Sequence, residues 1–141
     1  MRIIEEHATN YTSQPLFIFL AWHLVHSPFE APVRFLDPEC SDNKDRQLYH
    51  GMVTALDEGI GNVTAALLHH GMYNNTLLIF SADNGGPLVT TGMSGNNYPL
   101  RGGKTCDFEG GTRAASFISG GLIPPHLRGT INHAFLHVAD W

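Results

Sequence analysis

Four side chains have types and settings suited to chemistry: Asp83 and Asn84 in "LLIFSADNGGP", His26 in "HLVHSPF", and Lys104 in "PLRGGKTCDFEGGTR". Asp83 and Asn84 offer a carboxylate and an amide oxygen, the hard donors that Ca2+ or Mg2+ takes. Calcium takes about six to eight oxygens, and two adjacent residues supply only two or three. There is no EF-hand spacing, so further ligands have to come from elsewhere. A lysine among glycines can bring its ammonium close to an anion. The Walker pattern is rejected, because no glycine stands in register upstream of Gly103-Lys104 and a loop, not a strand, precedes them.

Each residue also has a plain structural reading. Asn-Gly is a strong hairpin signal, His26 suits an exposed loop, and Lys104 suits a solvated loop charge. His69 and His70 sit where a helix should end, and there a cation interacts favourably with the helix dipole. They are read as structural. Asp57, beside an apolar stripe, is expected to hold a neighbouring loop by hydrogen bonds.

The elements that must position these residues follow from periodicity. Leu16–Trp22 and Thr76–Ala82 read as buried strands, with a third around Ala114–Ser119. Arg46 to about His70 reads as a helix whose stripe is Tyr49, Met52, Val53, Leu56, Ile60, Val63 and Leu67. Gly71 ends it as a C′ residue. Gly59 and Gly61 inside the helix each cost up to about 1 kcal/mol relative to Ala, which points to close packing or a bend. Strand, helix and strand of this length imply a βαβ crossover in a parallel sheet, an α/β fold. Ligand sites in such sheets lie at the carboxyl ends of strands, where both the His23–Pro28 loop and Asp83–Gly86 fall. A hairpin needs a strand directly after its turn, yet "PLVTTGMSGNNYPLRGGK" reads as loop. The site reading of Asp83 and Asn84 is therefore preferred.

With 141 residues, 43% hydrophobic and 15% charged, the chain fits one globular domain spanning 1–141. A net charge of −5 without a Lys/Arg cluster argues against a nucleic-acid partner or a polybasic membrane patch. The apolar run Leu16–Val25 is too short to span a bilayer, so no membrane span is expected. The first fifteen residues lack the apolar segment of a signal peptide. Three N-x-S/T sequons, at Asn10, Asn62 and Asn74, nevertheless point to the secretory route and to glycosylation. Two cysteines, Cys40 and Cys106, form neither a CxxC motif nor a disulfide framework.

The blocks "HLVHSPFEAP", "YHGMVTALDEGIGNVTAALLHHGMYNNTLLIFSADNGG", "GNNYPLRGGKTCDFEGGTR" and "HVADW", in that order, resemble successive blocks of the sulfatase family. The likeness runs from about Gln14 to Trp141 and is strongest to the N-acetylgalactosamine-4-sulfatase (arylsulfatase B) branch. It implies an alkaline-phosphatase-like α/β/α sandwich with a mostly parallel central sheet. It also implies Ca2+, and hydrolysis of a sulfated glycan or aryl sulfate ester in a lysosomal or secreted setting. By the same resemblance, Asp83 and Asn84 are metal ligands, while His26 and Lys104 bind the sulfate or its leaving oxygen. Such cations suit the charge that builds on those oxygens.

The sequence departs from the family pattern in several places. The family's formylglycine nucleophile comes from the cysteine of a C-x-P-S-R block. Here Cys40 precedes Ser-Asp-Asn and Cys106 precedes Asp-Phe-Glu, so the catalytic nucleophile is not among these residues. The paired aspartates that complete the calcium shell are missing, as are the lysine and histidine that flank the nucleophile. Phe108 stands where close relatives carry tryptophan. The chain therefore reads as an internal part of a sulfatase catalytic domain, with the nucleophile-bearing front and the C-terminal part absent, and it is expected to be inactive by itself. The alternatives are a non-catalytic product that binds calcium or a sulfated ligand, and a phosphate-ester hydrolase. The last would need more metal-binding histidines and aspartates than are present.

Overall fold

The computed structural model describes residues 1–88 and 95–140. The long loop after Asp83 therefore lies partly outside the described residues, as does the Trp141 that closes the "HVADW" block.

Helix α1, Arg2–Asn10, opens the chain and buries Ile4 against the long helix α2, Lys44–His69. The sequence reading had assigned no element there. Helix α2 begins two residues before its predicted start. Its N-cap is Asn43, whose side chain accepts a hydrogen bond from the Arg46 backbone N–H at 3.0 Å. It ends as predicted at Gly71, with φ +68°. The N–H groups of Gly71 and Met72 donate to the carbonyls of Leu68 and Leu67, which is a Schellman closure.

The apolar stripe is narrower than periodicity suggests. Met52 and Leu67 are buried, Tyr49, Leu56, Ile60 and Val63 are half-buried, and Val53 faces outward. The two internal glycines differ in purpose. A Cβ on Gly59 would stand 2.5 Å from Cη2 of Trp22, so the indole lies directly on the helix at that point. A Cβ on Gly61 would meet nothing. Close packing thus explains Gly59 alone.

The segment between Trp22 and α2 is pinned along the helix. Gly51 lets Ala31, Phe35 and Leu36 approach. Arg34 donates to both carboxylate oxygens of Glu58, at 3.1 and 2.8 Å, and its guanidinium covers the Phe35 ring. The acid that holds a loop is therefore Glu58. Asp57, which the sequence reading favoured, is exposed and makes no hydrogen bond among the described residues.

Two strands pair: β1, Leu78–Ser81, and β2, Ser116–Ser119. They are antiparallel, with Leu78 opposite Ser119 and Phe80 opposite Phe117, whose rings stack with centroids 5.1 Å apart. One expectation is corrected. Leu16–Trp22 is not a strand: it has no ladder partner among the described residues, and Phe17 and Phe19 are 89% and 81% exposed. Apolar runs favour a strand only where a neighbour takes up their backbone hydrogen bonds. The described sheet accordingly contains no parallel crossover. It does leave a loop at the carboxyl end of β1 that returns to the start of β2, and this loop carries Asp83, Asn84 and Lys104.

The glycine contrast in α2 can be measured by denaturant unfolding. Gly61→Ala should raise stability by up to about 1 kcal/mol. Gly59→Ala should lose that gain and shift the tryptophan fluorescence, because the indole must move. Equal effects at both positions would remove the packing role assigned to Gly59.

Candidate functional site

The loop between β1 and β2 folds back on itself through backbone contacts that only glycine allows. Gly85 donates its N–H to the Gly111 carbonyl at 3.0 Å, and a Cβ at Gly85 would collide with the carbonyl of Gly110. Gly103 approaches the Gly86 carbonyl in the same way. Neither Gly85 nor Gly86 has a positive φ. The glycines after Asp83-Asn84 therefore serve close approach, and a hairpin turn is not the reason for them. Gly110 and Gly111 are the two middle residues of the short helix α3, Glu109–Thr112, which leads into β2.

Asn97 ties the two ends of this loop together. Its Oδ1 accepts the Gly86 N–H at 2.9 Å, and its Nδ2 donates to the carbonyls of Gly86 at 2.8 Å and Gly102 at 3.1 Å. The Lys104 backbone N–H donates to the same Gly86 carbonyl at 3.0 Å. Lys104 is thereby held two residues from Asn84 along a hydrogen-bonded path. It occupies the second position of a turn closed by the Cys106 N–H and the Gly103 carbonyl, at 2.9 Å. The third position, Thr105, has φ +73°, where a β-branched residue is a genuine outlier. Strain of this kind persists only where the surroundings over-determine the backbone.

The side chains are disposed as follows. Asp83 is exposed, and its carboxylate has no hydrogen bond or ion pair among the described residues. Asn84 is half-buried and donates Nδ2 to the Gly85 carbonyl at 2.8 Å, and its Oδ1 accepts no hydrogen bond among the described residues. Lys104 is half-buried, with no partner for its ammonium among the described residues. His26 is exposed, and its Nδ1 lies 2.8 Å from the Ser27 carbonyl, so Nδ1 carries the hydrogen and Nε2 is left open. No hydrogen bond or ion pair joins His26 to the other three among the described residues.

An open cavity of about 530 Å3 is lined by Asn84, Asn97, Tyr98, Arg113 and Tyr49 together with the glycines around them. Tyr49 comes from α2, and Phe29 meets it edge-on with centroids 5.8 Å apart. Through that contact the loop bearing His26 reaches the wall of the cavity. The structure therefore ties the backbone of Lys104 to the Asn84 segment through Gly86, and the His26 loop only at one remove. Asp83 and Asn84 fit as two members of an oxygen set for a hard cation. No group of three His, Cys, Asp or Glu side chains suited to a metal occurs among the described residues, so they do not complete one.

Two positions that matter here were not singled out from sequence. In the sequence Asn97 reads as one of two loop asparagines before a Tyr-Pro pair, and Tyr49 as part of the helix stripe. The run Gly-Asn-Asn-Tyr-Pro was the available signal for Asn97, since Asn side chains readily replace backbone partners in loops.

A family model described as Sulfatase matches residues 2–141. The chain is 42% identical to mouse arylsulfatase J over 141 residues, covering 99% of this chain and 23% of that protein. It is 30% identical to human arylsulfatase A over 113 residues, and 29% identical to mouse N-acetylgalactosamine-6-sulfatase over 128 residues. Those matches cover 79% and 89% of this chain, and 21% and 23% of the relatives. The crystal structure of Ps i-CgsB in complex with k-i-k-neocarrahexaose superposes with a TM-score of 0.69 at 35% identity. It covers 83% of this chain and 27% of its own. The chain thus spans roughly a quarter of the length of the proteins it matches, and its α/β elements share the fold of that solved structure. By a match that runs from Arg2 to the last residue, the chain belongs to the sulfatase family.

Proposed function

We propose that this chain supplies the metal-binding and sulfate-binding side of a sulfuric ester hydrolase of arylsulfatase type, acting on sulfated glycans or aryl sulfates. The observation that carries the reading is the shared Gly86 carbonyl. Asn97 and the Lys104 backbone N–H both donate to it, which holds the backbone of Lys104 to the segment that carries Asn84.

In this reading Asp83 and the Oδ1 of Asn84 hold Ca2+ with oxygens from elsewhere in the protein. Bound there, calcium would supply positive charge to a sulfate oxygen. Lys104 places its ammonium on the sulfate or on the oxygen that leaves. His26, when Nε2 is protonated as well as Nδ1, donates the Nε2 hydrogen to the same leaving oxygen. A charge partner aimed at developing negative charge lowers the barrier without reorganising at the moment of reaction. The nucleophile belongs to a segment carrying C-x-P-S-R, to which Cys40 and Cys106 do not correspond. The chain by itself therefore binds and does not turn over.

The remaining expectations rest on the same resemblance. The central sheet is mostly parallel once further strands join β1, which the exposed Phe17, Phe19 and Ile79 favour. Asn10, Asn62 and Asn74 are all exposed, as glycan acceptors must be, in keeping with a lysosomal or secreted glycoprotein. No helix among the described residues is long and apolar enough to cross a membrane.

Three outcomes test the reading. Calorimetry with CaCl2 should show weaker binding for Asp83→Ala than for Asn84→Ala, since a charged oxygen is lost. Unchanged calcium affinity in Asp83→Ala would remove the metal assignment. A chromogenic aryl sulfate with calcium should be turned over only when the chain is completed by a C-x-P-S-R segment; turnover by the unextended chain would overturn the proposal. In the completed protein, Lys104→Ala and His26→Ala should each lower turnover by about two to three orders of magnitude. His69→Ala and His70→Ala, at the far end of α2, should leave it nearly unchanged, and equal losses at all four would indicate unfolding.

A further inference from the structure

Tyr98 is 86% exposed and yet lines the cavity that contains Asn84. Isolated exposed apolar groups are ordinary on protein surfaces and mean little by themselves. Tyr98 differs because its backbone is fixed. Its N–H donates to Asn96 Oδ1 at 2.9 Å, and the Leu100 N–H donates to the Asn97 carbonyl at 2.8 Å. Asn97 in turn is clamped to Gly86 and Gly102. A hydrogen-bonded loop thus holds out a flat aromatic ring that packs against almost nothing among the described residues.

The rest of the cavity is mixed, with apolar walls from Ala82, Pro99, Leu100 and Ala115 beside its polar groups. Asn84, Asn96 and Asn97 contribute amides, and Arg113 is the charged residue on its described lining. Arg113 is only loosely engaged, with its nearest acid, Glu109, at 3.5 Å. A cleft with amides, one guanidinium, apolar walls and an exposed aromatic ring suits a ligand with a flat apolar face, hydroxyl edges and an anionic substituent. A pyranose ring of a sulfated glycan has those features, whereas inorganic sulfate has no face for the ring to cover. Aromatic side chains offer large rigid contact area at little entropic loss.

We propose that Tyr98 is a stacking platform for a sugar ring of the sulfated glycan, and so a residue that selects glycan sulfates over small sulfate esters. This rests on the function proposed above and adds a subsite to it.

The test is binding of two probes, a sulfated N-acetylgalactosamine tetrasaccharide and inorganic sulfate, to the wild-type protein and to Tyr98→Ala, Tyr98→Phe and Tyr98→Trp. Tyr98→Ala should raise the tetrasaccharide Kd by roughly 3- to 10-fold, the span of one aromatic contact. The sulfate Kd should stay unchanged. Tyr98→Phe and Tyr98→Trp should keep tetrasaccharide binding, since the ring and not the hydroxyl carries the contact. Saturation-transfer NMR should show tetrasaccharide C–H protons that lose contact with the protein in Tyr98→Ala. An unchanged tetrasaccharide Kd in Tyr98→Ala, no tetrasaccharide binding by the wild type, or equal weakening of both probes would overturn the platform. Failure of the underlying reading looks different: sulfate binding would then be indifferent to Lys104→Ala and His26→Ala.

Discussion

The carboxamide of Asn97 is the constraint on which the site depends. Three hydrogen bonds from one side chain join Gly86, two residues after Asn84, to Gly102, two residues before Lys104. A loop of this length has a substantial closure entropy, and an amide that satisfies both a donor and an acceptor of the same residue offsets it in one place. The surrounding glycines make the clamp possible, because Gly85 and Gly103 let backbone strands approach closer than any side chain would permit. The positive φ at Thr105 is tolerated within the same frame, and it fixes the direction in which the Lys104 backbone leaves the turn.

Helix α2 is the platform beneath this loop. Its C-terminus is closed at Gly71, its N-terminus at Asn43, and three separate features along its length receive the incoming chain. Trp22 rests on Gly59, the turn around Phe35 rests on Gly51, and Arg34 reaches Glu58. The Arg34 pair is exposed, so its energetic contribution is small and its role is to choose a register. Phe29 then meets Tyr49, which carries the position of the His26 loop to the cavity wall.

The large exposed apolar side chains have a common origin. Phe17, Phe19, Ile79 and Ile118 lie on or beside segments whose described partners are few, and the chain corresponds to 23% of the relative with which it shares most identity in the matches above. They are apolar surface that the described residues leave uncovered, and periodicity reads a strand at Leu16–Trp22 where no ladder forms among the described residues. An apolar run records burial; the neighbour that would make it a strand is recorded elsewhere in the chain or not at all.

The sequence by itself determined the helix over most of Lys44–His69, its stop at Gly71, the two short strands and the family to which the blocks belong. These are local matters: helical periodicity, positive φ at one residue, and chemistry concentrated in short contiguous motifs. It also marked Asp83, Asn84, His26 and Lys104 as the residues worth following. Only the tertiary structure decided that β1 and β2 run antiparallel and that Glu58, not Asp57, takes Arg34. It alone showed that Asn97 binds the loop ends and that Gly59 differs from Gly61. Each of these depends on a partner far away in the chain, and residue type alone cannot say which partner will arrive. A glycine under an indole and a glycine facing water are the same letter, separated only by what packs against them.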